Sequence, residues 1–182
     1  MRKILAAIFC ICCFSSIYAQ QQYPYARDIQ AFKHKDSIQA PTGNEILFIG
    51  SSSFTFWQDV NNYFPGHKII NRGFGGSTLL DIIHYANDVI FAYQPKQIVI
   101  YCGENDLASS DTVKAPVVLQ RFKTLFSMIR NKMPDVPVTF ISIKPSPSRA
   151  RLLPEMLKSN NAIRQFLAKQ PHTSFVDVYS KM

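Results

Sequence analysis

The stretch Glu45-Ile-Leu-Phe-Ile-Gly-Ser-Ser-Ser-Phe-Thr-Phe-Trp57 decides the fold. Ile46 to Ile49 is a continuous apolar run, which is typical of a strand buried on both faces of a parallel sheet. Gly50 and the serines after it predict a turn into a helix. This turn would place a hydroxyl group at the carboxyl edge of the sheet, where open α/β sheets bind ligands, next to backbone N–H groups that favour negative charge. On this stretch alone, a plain turn capped by serines is an equal alternative.

Strands and helices alternate after this stretch. The predicted strands are 46–49, 68–71, 97–102, 138–143 and 174–178, and the predicted helices are 53–63, 78–93, 115–133 and 152–168. Thr78, followed by Asp81 three residues later, is an acceptable helix start signal. Strands separated by helices imply βαβ units. We therefore expect an α/β fold with a doubly wound, five-stranded parallel sheet and helices on both faces.

The first residues are predicted to be a secretory signal peptide, 1–19. Arg2 and Lys3 precede an apolar run that is too short for a stable membrane anchor, and small residues lead up to a predicted cut after Ala19. A secreted or periplasmic location follows. Residues 20–44 are predicted to be an N-terminal lead-in containing a helix over 26–38, and 45–182 to be the main domain.

Charge and cysteine content narrow the function classes. The chain of 182 residues carries a formal charge of +8, which falls to +6 when Arg2 and Lys3 leave with the signal peptide. The positive charges are scattered and no nucleic-acid motif is present, so we expect a basic surface and no nucleic-acid partner. Cys102 would be the one cysteine after cleavage, and its apolar surroundings predict a buried thiol.

Three loops follow predicted strands and should share one edge of the sheet. They carry Ser52, the glycines of 73–76, and the polar residues of 103–106. This set suits acyl transfer: a serine hydroxyl can attack when a base takes its proton, and glycine N–H groups and an asparagine amide can stabilise the resulting oxyanion.

These motifs resemble the SGNH (GDSL-type) hydrolase family. Gly50-Ser-Ser52, Asn71-Arg-Gly-Phe-Gly-Gly76 and Gly103-Glu-Asn105-Asp106 are similar to its first three sequence blocks, in the family's order, over about 45–182. The resemblance implies a flavodoxin-like sheet and cofactor-free, metal-free hydrolysis of esters, often acetyl groups on sugars. It implies Ser52 as nucleophile, with Gly76 and Asn105 in the oxyanion hole. Ser51 stands where the family usually has Asp.

The sequence departs from the family pattern in the block that carries the general base. Its Asp-x-x-His block normally follows the last strand, whereas this sequence stops at Met182, just after the fifth predicted strand. We therefore expect an incomplete domain without the base or the final helix, and impaired activity. Asp81-Ile-Ile-His84 matches the letters of that block, but it falls in a helix. His67 and His172 precede strands and should lie at the opposite edge.

Several alternatives remain open at this point. A carbohydrate-binding pseudoenzyme would keep the pocket without the base, and a flavodoxin-like nucleotide binder would use the glycine-rich loop 73–76. A metal role for Glu104 and Asp106 lacks His or Cys partners. The loop 144–149 either shapes the pocket or is only rigid. The expected substrate is a small-molecule or glycan ester. The sequence leaves the acyl group, the alcohol and the oligomeric state open.

Overall fold

The computed structural model describes residues 23–182, so the predicted signal peptide lies outside the described residues. Its centre is one sheet of five strands, all paired in parallel. The strands are β1 (Ile46–Gly50), β2 (Ile69–Gly73), β3 (Gln97–Tyr101), β4 (Val138–Ile141) and β5 (Thr173–Val176). Their spatial order, β2-β1-β3-β4-β5, is the flavodoxin-like order. The predicted fold class is confirmed.

Seven α-helices accompany the sheet in the described residues. They are α1 (Ala26–Ile38), α2 (Ser52–Thr55), α3 (Leu79–His84), α4 (Ala86–Val89), α5 (Glu104–Ser109), α6 (Ala115–Lys132) and α7 (Leu153–Leu167). Short 3-10 turns cover Val60–Tyr63, Pro147–Leu152 and Tyr179–Lys181. None of the helices within residues 23–182 is both long and apolar enough to cross a membrane.

The two faces of the sheet are covered unequally. Side chains from α1 and α3 to α7 form a large core on one face, whereas the other face carries a smaller cluster with residues of α2 and the first 3-10 turn. Phe48, Phe54 and Val60 are buried in this smaller cluster. Val176 of the edge strand β5 is 44% exposed. Helices therefore lie on both faces, as predicted, but the described residues cover one face more fully.

The predicted helix over 53–63 is wrong in its middle. The structure has the four-residue helix α2 and then a separate 3-10 turn, because the Asn71 side chain binds one carbonyl group within α2 and one just after it. Its Nδ2 donates to the carbonyl oxygens of Phe54 (2.7 Å) and Trp57 (3.1 Å). Such a partner satisfies carbonyls at the end of a short helix and fixes where the helix stops.

Two further predicted boundaries differ from the structure. The predicted helix over 78–93 divides at Tyr85 into α3 and α4. The predicted turn 103–106 is instead the start of α5: Gly103 is its N-cap, and the Leu107 N–H donates to the Gly103 carbonyl at 3.2 Å. Leu107 is buried, so packing against the core favours a helix in this polar stretch.

A buried ion pair ties α1 to the sheet. The Arg72 side chain, only 4% exposed, forms a salt bridge with Asp36 of α1. Its Nε donates to the Tyr93 hydroxyl at 2.6 Å, and its guanidinium lies 5.1 Å from the centre of the Phe32 ring. These contacts hold the amino-terminal segment against the domain and bring Tyr25 near the carboxyl edge of the sheet.

Candidate active site

The end of β1 approaches β3 so closely that only glycine fits there. Gly50 has φ +151°, and a Cβ added to it would lie 2.0 Å from the Tyr101 carbonyl oxygen. The next residue, Ser51, donates its N–H to the same oxygen at 3.2 Å. Its own carbonyl then accepts from the Phe54 N–H at 3.0 Å, which closes the turn. This turn places Ser52 as the first residue of α2, half-buried at the carboxyl edge.

The glycine-rich loop after β2 lies against this turn. A Cβ added to Gly75 would be 4.0 Å from the Ser52 Cβ. Gly75 and Gly76 are exposed, and Gly76 has φ +86°, a left-handed conformation that favours glycine. At the base of the loop, the buried Ser77 donates its hydroxyl to the Gly50 carbonyl at 3.2 Å. The loop is thus fixed directly to the end of β1.

Asn105, which follows β3, is bonded to the same glycine-rich loop. It lies in the first turn of α5, and its Nδ2 donates to the Ser77 carbonyl at 3.0 Å. Ser77 therefore connects the glycine-rich loop after β2 to the end of β1 and to the start of α5. The structure brings the regions of Ser52, Gly76 and Asn105 together at one edge, at the point between β1 and β3 where the strand order reverses.

Asp106, next to Asn105, is a buried carboxylate that links the helices behind this edge. It is fully buried and accepts hydrogen bonds from the Leu79 N–H at 3.0 Å and from the Arg121 guanidinium at 2.8 Å. Burial raises the pKa of its carboxyl, while the hydrogen bonds from Arg121 and the Leu79 N–H oppose that rise. These partners account for Asp106 as a structural residue joining α3, α5 and α6.

The start of α3 explains Asp81 in the same way. The predicted capping box is confirmed: Asp81 Oδ2 accepts from the Thr78 N–H at 2.8 Å, and the Thr78 hydroxyl accepts from the Asp81 N–H at 3.4 Å. Asp81 is therefore occupied with the helix start. The pattern Asp81-Ile-Ile-His84 matches the family block by letters only.

The four histidines of the sequence all lie among the described residues, and all are exposed. His67 precedes β2 and His172 precedes β5, at the amino edge, as predicted. His34 lies within α1, and His84 is the last residue of α3, where its ring stacks on Tyr23 with 3.6 Å between centroids. None of the four lies on a loop that directly follows a strand.

Two further residues lie beside the site: no sequence motif indicates Tyr25, and the sequence leaves open whether the loop 144–149, which ends at Arg149, shapes the pocket. The Tyr25 hydroxyl lies 3.2 Å from where a Cβ on Gly76 would be, so the predicted lead-in forms part of the wall of this edge. Burial raises the pKa of the Tyr25 hydroxyl, and the nearby Asp81 carboxylate raises it further. The hydroxyl therefore stays protonated at neutral pH. The second neighbour is Arg149, from the loop after β4, whose Nη2 donates to the Asn105 Oδ1 at 2.9 Å. Periodicity cannot reveal either contact, because each joins distant parts of the chain.

Other parts of the described residues are weaker candidates for a functional site. Within residues 23–182, no three His, Cys, Asp or Glu side chains form a group able to hold a metal ion. A cavity of about 310 Å³ is lined by residues of α1, of β2 and of the segment before β1, including Lys35, Glu45 and Lys68, but by none of Ser52, Gly76 and Asn105. Ligands of open α/β sheets bind at the carboxyl edge, so we take the three loops as the candidate site.

The sequence profile of the GDSL-like lipase/acylhydrolase family matches residues 36–182. The chain belongs to this family. The matched range contains Ser52, Gly76 and Asn105. Membership of this family places the chain among ester hydrolases. No curated protein sequence matched the chain.

Solved structures share the GDSL-like fold. A protein from Streptococcus pneumonia, provisionally assigned as a platelet activating factor, has a TM-score of 0.73 at 18% identity, over 85% of this chain and 74% of its own. A GDSL-like lipase from Bacteroides thetaiotaomicron has a TM-score of 0.68 at 18% identity, with 85% and 79% covered. A variant acetyl xylan esterase from Geobacillus stearothermophilus has a TM-score of 0.60 at 14% identity, with 76% and 78% covered.

Proposed function

We propose that the protein is an exported ester hydrolase that uses Ser52 as its nucleophile. The observation that carries this proposal is that Ser77, in the glycine-rich loop, accepts a hydrogen bond from Asn105 at the start of α5 and donates one to Gly50 at the end of β1. A serine at the end of a strand, an exposed glycine loop and an asparagine amide are the groups that acyl transfer needs. Membership of the GDSL-like family supports the same reaction class.

In the proposed reaction, Ser52 Oγ forms a bond to the ester carbonyl carbon while a base takes its proton. The carbonyl oxygen becomes an oxyanion, stabilised by the backbone N–H groups of Ser52 and Gly76 and by the Asn105 amide. When the intermediate collapses, the bond to the alcohol oxygen breaks and the alcohol leaves with a proton. Water then attacks the acyl-serine and releases the acid.

The base is the open element of this proposal. None of the four histidines of the sequence lies on a loop at this edge, and the protonated Tyr25 hydroxyl is not a base at neutral pH. A serine hydrolase without its base keeps only about 10³- to 10⁴-fold enhancement over water, from binding and the oxyanion hole. We therefore expect residues 1–182 by themselves to hydrolyse esters slowly.

The proposed substrates are small-molecule or glycan esters, and acetylated sugars are the first to test. A structural neighbour named as an acetyl xylan esterase, at TM-score 0.60, motivates that choice. The proposal includes no cofactor, nucleic-acid partner or stable membrane anchor. Export would place the mature amino terminus at Gln20, which amino-terminal sequencing of protein from the growth medium or periplasm would check.

The test uses imidazole as an external base with an aryl acetate substrate. Because a nucleophile and its base act as a unit, Ser52→Ala should change the slow rate in buffer very little. It should, however, abolish the increase that imidazole produces above the uncatalysed imidazole reaction. Ser53→Ala is the matched control, since Ser53 is the next serine and is also half-buried, and it should keep that increase. An equal increase in Ser52→Ala would contradict Ser52 as the nucleophile.

A carbohydrate-binding pseudoenzyme is the second candidate. The placement of the histidines favours it, because binding a glycan at this edge requires no base. Saturable binding of an acetylated glycan, with no imidazole-dependent cleavage by the native sequence, would support this alternative over the hydrolase.

A further inference from the structure

The Asn105 carboxamide is held from both ends. Its Nδ2 donates to the Ser77 carbonyl at 3.0 Å, and its Oδ1 accepts from Arg149 Nη2 at 2.9 Å. Asn105 lies after β3 and Arg149 lies in the turn after β4, 44 positions further along the chain. Two separate loops therefore fix one side chain of the candidate site.

These two partners permit one orientation of the amide. A guanidinium group can only donate hydrogen bonds, so the atom that faces it must be the amide oxygen. A carbonyl can only accept, so the atom that faces Ser77 must be the amide nitrogen. The flipped amide would place oxygen against oxygen and N–H against N–H, and it would lose both bonds. Asn105 also keeps a second Nδ2 proton, which the Ser77 carbonyl does not use.

Arg149 is itself held in place. Its Nη1 lies 3.4 Å from Glu104 Oε1, and Glu104 Oε2 accepts from the Tyr101 hydroxyl at 3.3 Å. The Arg149 side chain is 31% exposed, yet its Nη1 atom is buried and has no hydrogen bond in the described residues. Pro147 begins the turn that carries it, and the Arg149 N–H donates to the Ser146 carbonyl at 3.0 Å. The arginine is thus anchored through both its backbone and its charge.

We propose that Arg149 is a positioning residue: it fixes the Asn105 amide so that the free N–H can serve the oxyanion. The catalytic part of this inference rests on the proposed ester hydrolysis. It gives the predicted loop 144–149 a role in the site, namely orienting the oxyanion-hole amide. Arg149 acts through Asn105 and is not a catalytic residue.

Nuclear magnetic resonance of the side-chain amide tests the geometry without any need for activity. In ¹⁵N-labelled protein, the two Asn105 amide protons should give separate signals, with the one bonded to Ser77 exchanging slowly. Arg149→Met keeps much of the length of the side chain and removes the donor, and it should shift these signals and speed their exchange. Arg151→Met is the matched control, because Arg151 lies in the same turn and, within residues 23–182, pairs only with the exposed Asp111. It should leave the Asn105 signals unchanged.

The imidazole-dependent esterase rate tests the consequence. Loss of one oxyanion donor typically lowers kcat by about 10²- to 10³-fold, so a mispositioned donor should lower it by roughly 10-fold or more, with KM unchanged. Arg149→Lys should restore part of the rate, and Arg149→Met should add little in an Asn105→Ala background.

The two failures are distinguishable. Unchanged Asn105 signals in Arg149→Met would overturn the inference, and so would changed signals with an unchanged Ser52-dependent rate. Absence of any Ser52-dependent rate in the native sequence would count against the proposed function. In that case the amide signals would still decide whether Arg149 orients Asn105.

Discussion

Asn105 illustrates how little of a single residue's role its type reveals. An asparagine after a strand is usually read as a turn former, because its side chain bonds readily to nearby backbone. Here it lies in the first turn of α5, and its amide spans two loops of the site. The second Nδ2 proton, which these bonds do not use, is the one proposed to serve the oxyanion.

The first prediction concerns that proton. Asn105→Ala should lower the imidazole-dependent esterase rate by about 10²- to 10³-fold, since one donor to the oxyanion is lost. Circular dichroism should show an unchanged fold, because the side chain is only half-buried. A rate within twofold of the native sequence would remove Asn105 from the oxyanion hole.

The second prediction concerns the Cys102 thiol. Cys102 is buried, as its apolar surroundings in the sequence predict, with 1% of the residue exposed. Burial raises the pKa of this thiol, and the neighbouring Asp106 carboxylate raises it further. Alkylation requires a thiolate that the reagent can reach. Peptide mapping should therefore find Cys102 unmodified by iodoacetamide in the folded protein at pH 8 and modified after unfolding. Rapid modification in the folded state would contradict its burial.

At the scale of elements, the attachment of α1 matters most. The Asp36–Arg72 pair is the main polar link between α1 and the sheet, and Arg72 is almost fully buried. Removing one partner of a buried pair leaves an uncompensated charge, which costs about 3 to 5 kcal/mol. Because Tyr25 precedes α1 directly, loosening this helix should also disturb the wall beside Gly76.

The third prediction follows from this attachment. Asp36→Ala should lower the free energy of unfolding by about 3 kcal/mol in urea denaturation, because the buried Arg72 loses its carboxylate. Lys33→Ala is the control from the same helix. Lys33 pairs with Asp88 at the surface, and its loss should cost less than about 1 kcal/mol. Equal decreases in the free energy of unfolding in the two variants would contradict a larger contribution from the buried Asp36–Arg72 pair than from a surface pair.

At the scale of the whole molecule, the sequence predicts the sheet better than it predicts the helices. The apolar runs ending at Gly50 and near Cys102 are local signals, and both strands lie close to where they were predicted. The capping box at Thr78 is local too, and it is confirmed. The alternation of strands and helices predicts only parallel βαβ units. The flavodoxin-like strand order is instead implied by the family resemblance, and the structure confirms it.

The errors arise where a distant partner decides the local structure. Asn71 ends α2 by binding the Phe54 carbonyl from 17 positions away, and no helical pattern in 53–63 contains that information. The contact of Arg149 with Asn105 spans 44 positions. For the site, the sequence predicts which loops meet, while the hydrogen bonds that orient them require the fold.

The central claim is that Ser52 is the nucleophile, and covalent labelling tests it most directly. The protein would be treated with a fluorophosphonate, which forms a stable bond to an activated serine, in the presence of imidazole. The adduct would then be mapped by peptide mass spectrometry. We predict one adduct, on Ser52, that is absent in Ser52→Ala and retained in Ser53→Ala. An adduct on another residue, or equal labelling of Ser52→Ala, would contradict the account.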